Sequence, residues 1–124
     1  MLDLYQADLM DRYQQPRFKG VVAGANFTVS EFNPSCGDEV SFTAFIDQNG
    51  VIQQLRFTGR GCVISLATAD KLAEYLQQRE FSLITKLTTA DILKLVQIPL
   101  GPTRLRCALL PLLALQKLTR SALV

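Results

Sequence analysis

Histidine and tryptophan are both absent from this 124-residue chain, and cysteine occurs only three times. Without an imidazole there is no histidine-based general acid–base chemistry, and Cys–His hydrolysis is excluded. An odd cysteine count means that the thiols cannot all pair within one chain. Neither sign of charge dominates. Thirteen basic against eleven acidic residues leave a net +2, too weak a bias to argue for nucleic acid. Long apolar runs are also missing, and the uncharged stretch between Arg106 and Lys117 is far too short to cross a bilayer. Met1-Leu2-Asp3-Leu4 carries neither a basic nor an apolar leader region, so no secretory signal is read. The expectation is a cytoplasmic protein whose thiols are reduced.

Apolar residues make up 48% of the chain and charged residues 19%, the balance of a globular protein, and residues 1–124 are expected to form a single domain. Residues 3 to 15 read as a helix with Asp3 as N-cap, Pro16 as terminator, and Leu4, Ala7, Met10 and Tyr13 at helical spacing, Leu9 beside them. Three strand candidates follow, Asn26 to Phe32, Glu39 to Asp47 and Val51 to Thr58. Phe42, Ala44 and Ile46 share one face of the second, and Leu55 and Phe57 one face of the third. Asp47-Gln48-Asn49-Gly50 is a hairpin signal, because Asn-Gly accepts positive φ at low cost. Beyond Gly61 the period changes to about 3.6, giving a helix to about Gln78 and another from Thr88 or Thr89 to Val96, where Thr88 and Asp91 suggest a cap box. A last helix is expected to turn Leu105, Ala108, Leu109, Leu112 and Leu115 inward, with Pro111 implying a kink or a later start. Strands in one block and helices after them predict an α+β fold, a three-stranded antiparallel sheet with helices on one face.

The chemistry lies at three junctions. Cys36 and Asp38 stand in Asn33-Pro34-Ser35-Cys36-Gly37-Asp38, a turn across which residues i and i+2 can point to one centre. Cys62 closes Gly59-Arg60-Gly61-Cys62 where a strand gives way to a helix, whose free N–H groups and partial positive charge favour a thiolate. Cys107 follows Arg104 and Arg106 at the approach to the last helix, and those cations would favour its thiolate. Each thiol also has a plain reading, as an incidental turn residue, a small packed residue at a helix start, or a buried helix-face cysteine. Together, three thiols and one carboxylate are four anionic donors, enough for tetrahedral zinc or an iron–sulfur cluster. No Cys-x-x-Cys is present, so a zinc ribbon or thioredoxin-type motif is excluded.

Nearly the whole chain resembles the iron–sulfur scaffold family of IscU, SufU and the N-terminal domain of NifU. Met10-Asp11-Arg12-Tyr13-Gln14-Gln15-Pro16-Arg17-Phe18-Lys19-Gly20 is similar to the family's "MDHYxxPRNxG". Asn33 to Asp38 matches "NPxCGD", Phe57 to Ser65 looks like "FxGxGCxIS", and Arg104 to Leu110 is similar to the third-cysteine segment. The resemblance implies the SufE/NifU-like α+β fold, with Cys36, Asp38, Cys62 and Cys107 as ligands. It further implies persulfide sulfur received from a cysteine desulfurase, with Cys107 as acceptor. A transient [2Fe–2S] cluster would then pass to apo iron–sulfur proteins. The alternative in the same family is a SufU-like zinc-dependent sulfurtransferase that holds Zn2+ on the same residues and activates its desulfurase. The first reading is a scaffold and no enzyme in the turnover sense. A third is a small zinc-stabilised interaction module.

Two departures from the family pattern disagree. Arg106 stands where IscU has a histidine, as in SufU-like proteins, and it cannot ligate a metal but can offset ligand charge. The insertion that SufU-like proteins carry between their second and third cysteines is not evident here. Leu100-Gly101-Pro102-Thr103-Arg104 only partly echoes the Leu-Pro-Pro-Val-Lys chaperone tract of IscU, so the resemblance does not carry chaperone-driven release over to this chain.

Overall fold

The computed structural model describes residues 4–122, in the order α1 (Leu4–Gln14), β1 (Phe27–Phe32), β2 (Glu39–Ile46), β3 (Ile52–Arg60), α2 (Val63–Leu76), a 3-10 turn (Phe81–Lys86), α3 (Thr89–Val96) and α4 (Pro102–Ala122). The strands form an antiparallel meander in the order β1-β2-β3, with Phe42 facing Val29 on one side and Phe57 on the other. Alternation puts Val40, Phe42, Ala44 and Ile46 of β2 and Leu55 and Phe57 of β3 into the core. Against them pack Ala69, Leu72, Ala73 and Leu76 of α2 and Ala108, Leu112 and Leu115 of α4. The expected α+β architecture is present.

The β2–β3 turn departs from the expected hairpin in its dihedrals. Gly50 alone of the turn takes positive φ, at 81°. The Asp47 carboxylate instead accepts from the amides of Asn49 and Val51 at 2.8 and 3.0 Å, so an aspartate clamp shapes the turn. The cap box of α3 is formed, with Thr88 and Asp91 each bonding the other's backbone amide. The 3-10 turn at Phe81–Lys86 has no counterpart in the periodicity, since three-residue repeats this short leave little pattern.

Helix α1 overturns the expected apolar stripe. Leu4 is 85% exposed, Met10 and Tyr13 are also exposed, and Leu9 is the apolar side chain that is buried. Beside Leu9 the helix buries Arg12, which donates to Asp70 at 2.5 Å and also pairs with Glu74. Asp70, fully buried on α2, further accepts from the amides of Arg17 and Phe18 at 2.8 and 2.7 Å. Lys71 pairs with Asp8 and donates to the Leu95 carbonyl at 2.9 Å. The inner face of α1 is thus set by charge pairing as much as by apolar spacing. The N-cap expected at Asp3 lies outside the described residues.

Helix α4 starts at Pro102, after Gly101, whose carbonyl accepts from the Leu105 amide at 2.9 Å. It runs through Pro111, so the later start is not found. An interior proline costs roughly 3 kcal/mol or more against alanine. Among the described residues no helix is long and apolar enough to cross a membrane.

Candidate metal centre

The turn after β1 is closed by backbone geometry. The Asn33 amide donates to the Asp38 carbonyl and the Gly37 amide to the Asn33 carbonyl, both at 2.8 Å, while Asn33 Oδ1 accepts from the Ser35 amide at 3.0 Å. Gly37 takes φ of 80°, a conformation that lets the chain reverse between Cys36 and Asp38. The result is the expected convergence: a thiol sulfur of Cys36, a carboxylate oxygen of Asp38 and the thiol of Cys107 lie within 4.8 Å of one another.

Asp38 is buried against the start of α2. Its Oδ2 accepts from Ser65 Oγ at 2.5 Å and from the Cys62 amide at 3.4 Å. A Cβ at residue 61 would stand 2.6 Å from Asp38 Cγ, so only glycine at Gly61 leaves the carboxylate its place. The room that Gly59 and Gly61 promise is therefore used. Burial pushes the Asp38 carboxyl up, but hydrogen bonds from Ser65, Cys62 and Cys36 outweigh it and hold the group below the ordinary carboxylate range.

Cys62 is the N-cap residue of α2, as expected, and its own side chain makes no capping hydrogen bond. Its thiol is exposed, lies 3.5 Å from Ser65 Oγ and contacts the Cys107 thiol, but it is outside the group of three mutually close donors. Cys107 differs from its expected setting. It sits inside α4 rather than at its approach, and it is 6% exposed. Burial, reinforced by Cys62, Asp38 and Cys36, pushes its thiol up to about 12, so Arg104 and Arg106 do not govern it. Both arginines are exposed and neither makes an ion pair among the described residues. Arg104 lines a largely apolar pocket of about 600 Å³ together with Leu9, Met10, Val63, Cys62 and Cys107. Arg106 lies in a separate groove beside Phe32 and Pro34.

These donors suit a soft or borderline cation. Thiolates favour zinc and iron–sulfur species, and no lysine or arginine among the described residues pairs with Asp38 to balance the site. Ser65 is the residue that sequence reasoning missed. It stands three positions after Cys62 in the first turn of α2, a spacing that puts the two side chains on one face and was legible in principle.

The family model described as "NifU-like N terminal domain" matches residues 4–120. The chain belongs to this family. This NifU-like chain is 28% identical over 131 aligned positions to the zinc-dependent sulfurtransferase SufU of Bacillus subtilis, covering 92% of itself and 88% of that protein. It is 30% identical to the iron-sulfur cluster assembly scaffold protein IscU of Streptococcus pyogenes serotype M1, covering 96% of itself and 85% of the relative. Both alignments, at 131 and 139 positions, exceed the 124 residues here, so both relatives carry residues that this NifU-like chain lacks. Its fold matches a crystal structure described as a putative iron-sulfur cluster assembly scaffold protein for the SUF system, from Fervidobacterium islandicum AW-1. The TM-score is 0.79 at 22% identity, covering 94% of this chain and 95% of that one.

Proposed function

We propose that this chain is an iron–sulfur cluster assembly scaffold. It takes persulfide sulfur from a cysteine desulfurase, binds ferrous iron and assembles a labile [2Fe–2S] cluster on Cys36, Asp38, Cys62 and Cys107. The sulfane sulfur is reduced to sulfide by electrons from the ferrous iron and from an external thiol or ferredoxin-type donor; the cluster then passes to apo-proteins. The observation that carries this reading is the convergence of Cys36, Asp38 and Cys107, with Cys62 touching the same cluster of groups and no ion pair to Asp38 among the described residues. Sulfur enters by attack of the Cys107 thiolate on the outer sulfur of the donor's persulfide. The new S–S bond forms at Cys107, the donor's S–S bond breaks, and the donor cysteine leaves as a thiolate. Asp38 is the odd ligand. A carboxylate oxygen binds iron less covalently than a thiolate, which keeps the cargo transferable. Ser65 and the Cys62 amide hold that carboxylate in place, leaving its second oxygen for the metal.

A second reading is favoured by the similarity to SufU and by Arg106, which supplies no ligand where a histidine would. Here Cys36, Asp38, Cys62 and Cys107 hold zinc as a resident ion. Zinc would keep the thiols deprotonated and closed until a desulfurase frees one as acceptor.

Anaerobic incubation with a cysteine desulfurase, cysteine and ferrous iron separates the two. An iron–sulfur chromophore that later moves to an apo-ferredoxin is the expected result. Faster desulfurase turnover with zinc retained and no chromophore would replace the scaffold by the sulfurtransferase. Neither effect would overturn both.

A further inference from the structure

Cys107 has a position that sulfur chemistry does not suit as it stands. It is almost fully buried, and its neighbours Ala108 and Leu110 are buried with it. Four residues later comes Pro111, inside α4 and itself buried. In a helix the amide of residue i closes onto the carbonyl of residue i−4. Proline has no amide hydrogen, so the bond that would close onto the Cys107 carbonyl cannot form, and the ring crowds that same carbonyl. At any other position the lost bond would fall on a different residue.

The two halves of α4 are anchored unequally. After Pro111 the helix is held by buried Leu112, Ala114, Leu115 and Leu118. Before Pro111 only Cys107, Ala108 and Leu110 are buried, while residues 102–104 and 106 are exposed, with Arg104 and Arg106 outside any ion pair among the described residues. Cys107 and Arg104 also border the pocket of about 600 Å³ on the side of α1 and Cys62, which gives the first half somewhere to go.

We propose that Pro111 is a positioning residue for Cys107: it uncouples residues 102–110 from the anchored half of α4, so that the thiol moves between its buried place and the adjoining pocket. The use of that motion, delivery of Cys107 to a sulfur donor, rests on the scaffold reading; the hinge itself does not.

The test uses the full chain, metal-free and reduced. In the wild type, amide hydrogen exchange should be faster over Arg106–Leu110 than over Leu113–Lys117. Pro111→Ala restores the missing donor. It should raise the melting midpoint while slowing iodoacetamide alkylation of Cys107 roughly tenfold, as expected when a local opening is suppressed. Cys36 and Cys62 should alkylate at unchanged rates, which a general stiffening would not allow. Uniform exchange along α4 in the wild type overturns the hinge without any variant, and so does an unchanged Cys107 rate or an equal change at all three thiols. Persulfide uptake is read separately. A wild type that takes no sulfur while Cys107 still responds to Pro111→Ala would overturn the scaffold reading and support the hinge.

Discussion

The hydroxyl of Ser65 carries one hydrogen, and the geometry directs it to Asp38 Oδ2 at 2.5 Å. Toward the Cys62 thiol, 3.5 Å away, the same oxygen can then act only as acceptor. One buried side chain thus orients two of the four candidate donors. Groups of this kind hold ligand geometry, and their loss typically costs 10–100-fold in metal affinity. Ser65→Ala should therefore weaken zinc binding by about 10–100-fold, measured by competition with a chromophoric chelator. An unchanged affinity would show that Asp38 needs no such support. At this scale the convergence of Cys36 and Asp38 was readable from their motif, because a turn glycine leaves a mark in sequence. For Cys107 the plain reading, a buried helix-face cysteine, is the one the packing of α4 selects, where the sequence had left it open beside an arginine-favoured thiolate at the helix approach.

Helix α1 shows how an element can satisfy helical periodicity and still present a different face. Its apolar residues recur at the right spacing, yet Leu4, Met10 and Tyr13 remain exposed, because the helix is oriented by Arg12 against Asp70 and Glu74 and by Asp8 against Lys71. Partners 58 and 62 residues apart leave no local signature. Such a pair holds the helix in register more than it adds net stability, but removing one member strands the other. Arg12→Met leaves Asp70 fully buried without its guanidinium and should cost about 3–5 kcal/mol in urea unfolding. A loss below about 1 kcal/mol, the range of exposed pairs, would mean that α1 docks through Leu9 alone. The β2–β3 turn is the opposite case. Its location was plain from Asn49-Gly50, and the Asp47 clamp that shapes it is equally local, an aspartate bonding amides two and four residues on.

Across the whole molecule the group of close donors joins a loop after β1 to the second turn of α4, and the proposed site would add Cys62, the residue before α2. A metal held by all three ties the sheet to both long helices, so its binding energy becomes folding energy. Zinc at about 100 times its dissociation constant should stabilise the native state by about 2.7 kcal/mol and raise the melting midpoint, with EDTA reversing the gain. Cys36→Ser should lose most of that gain while leaving the metal-free midpoint nearly unchanged, because Cys36 is exposed. The chain's residues sufficed for the strand alternation, the α3 cap box and the turn that brings Cys36 and Asp38 together, since each depends on neighbours within a few positions. Which face α1 buries, how Ser65 engages Asp38, and that the core covers Cys107 depend on surfaces brought together from distant parts of the chain. Local spacing cannot encode such choices, because they are made by the competition of whole faces for one core.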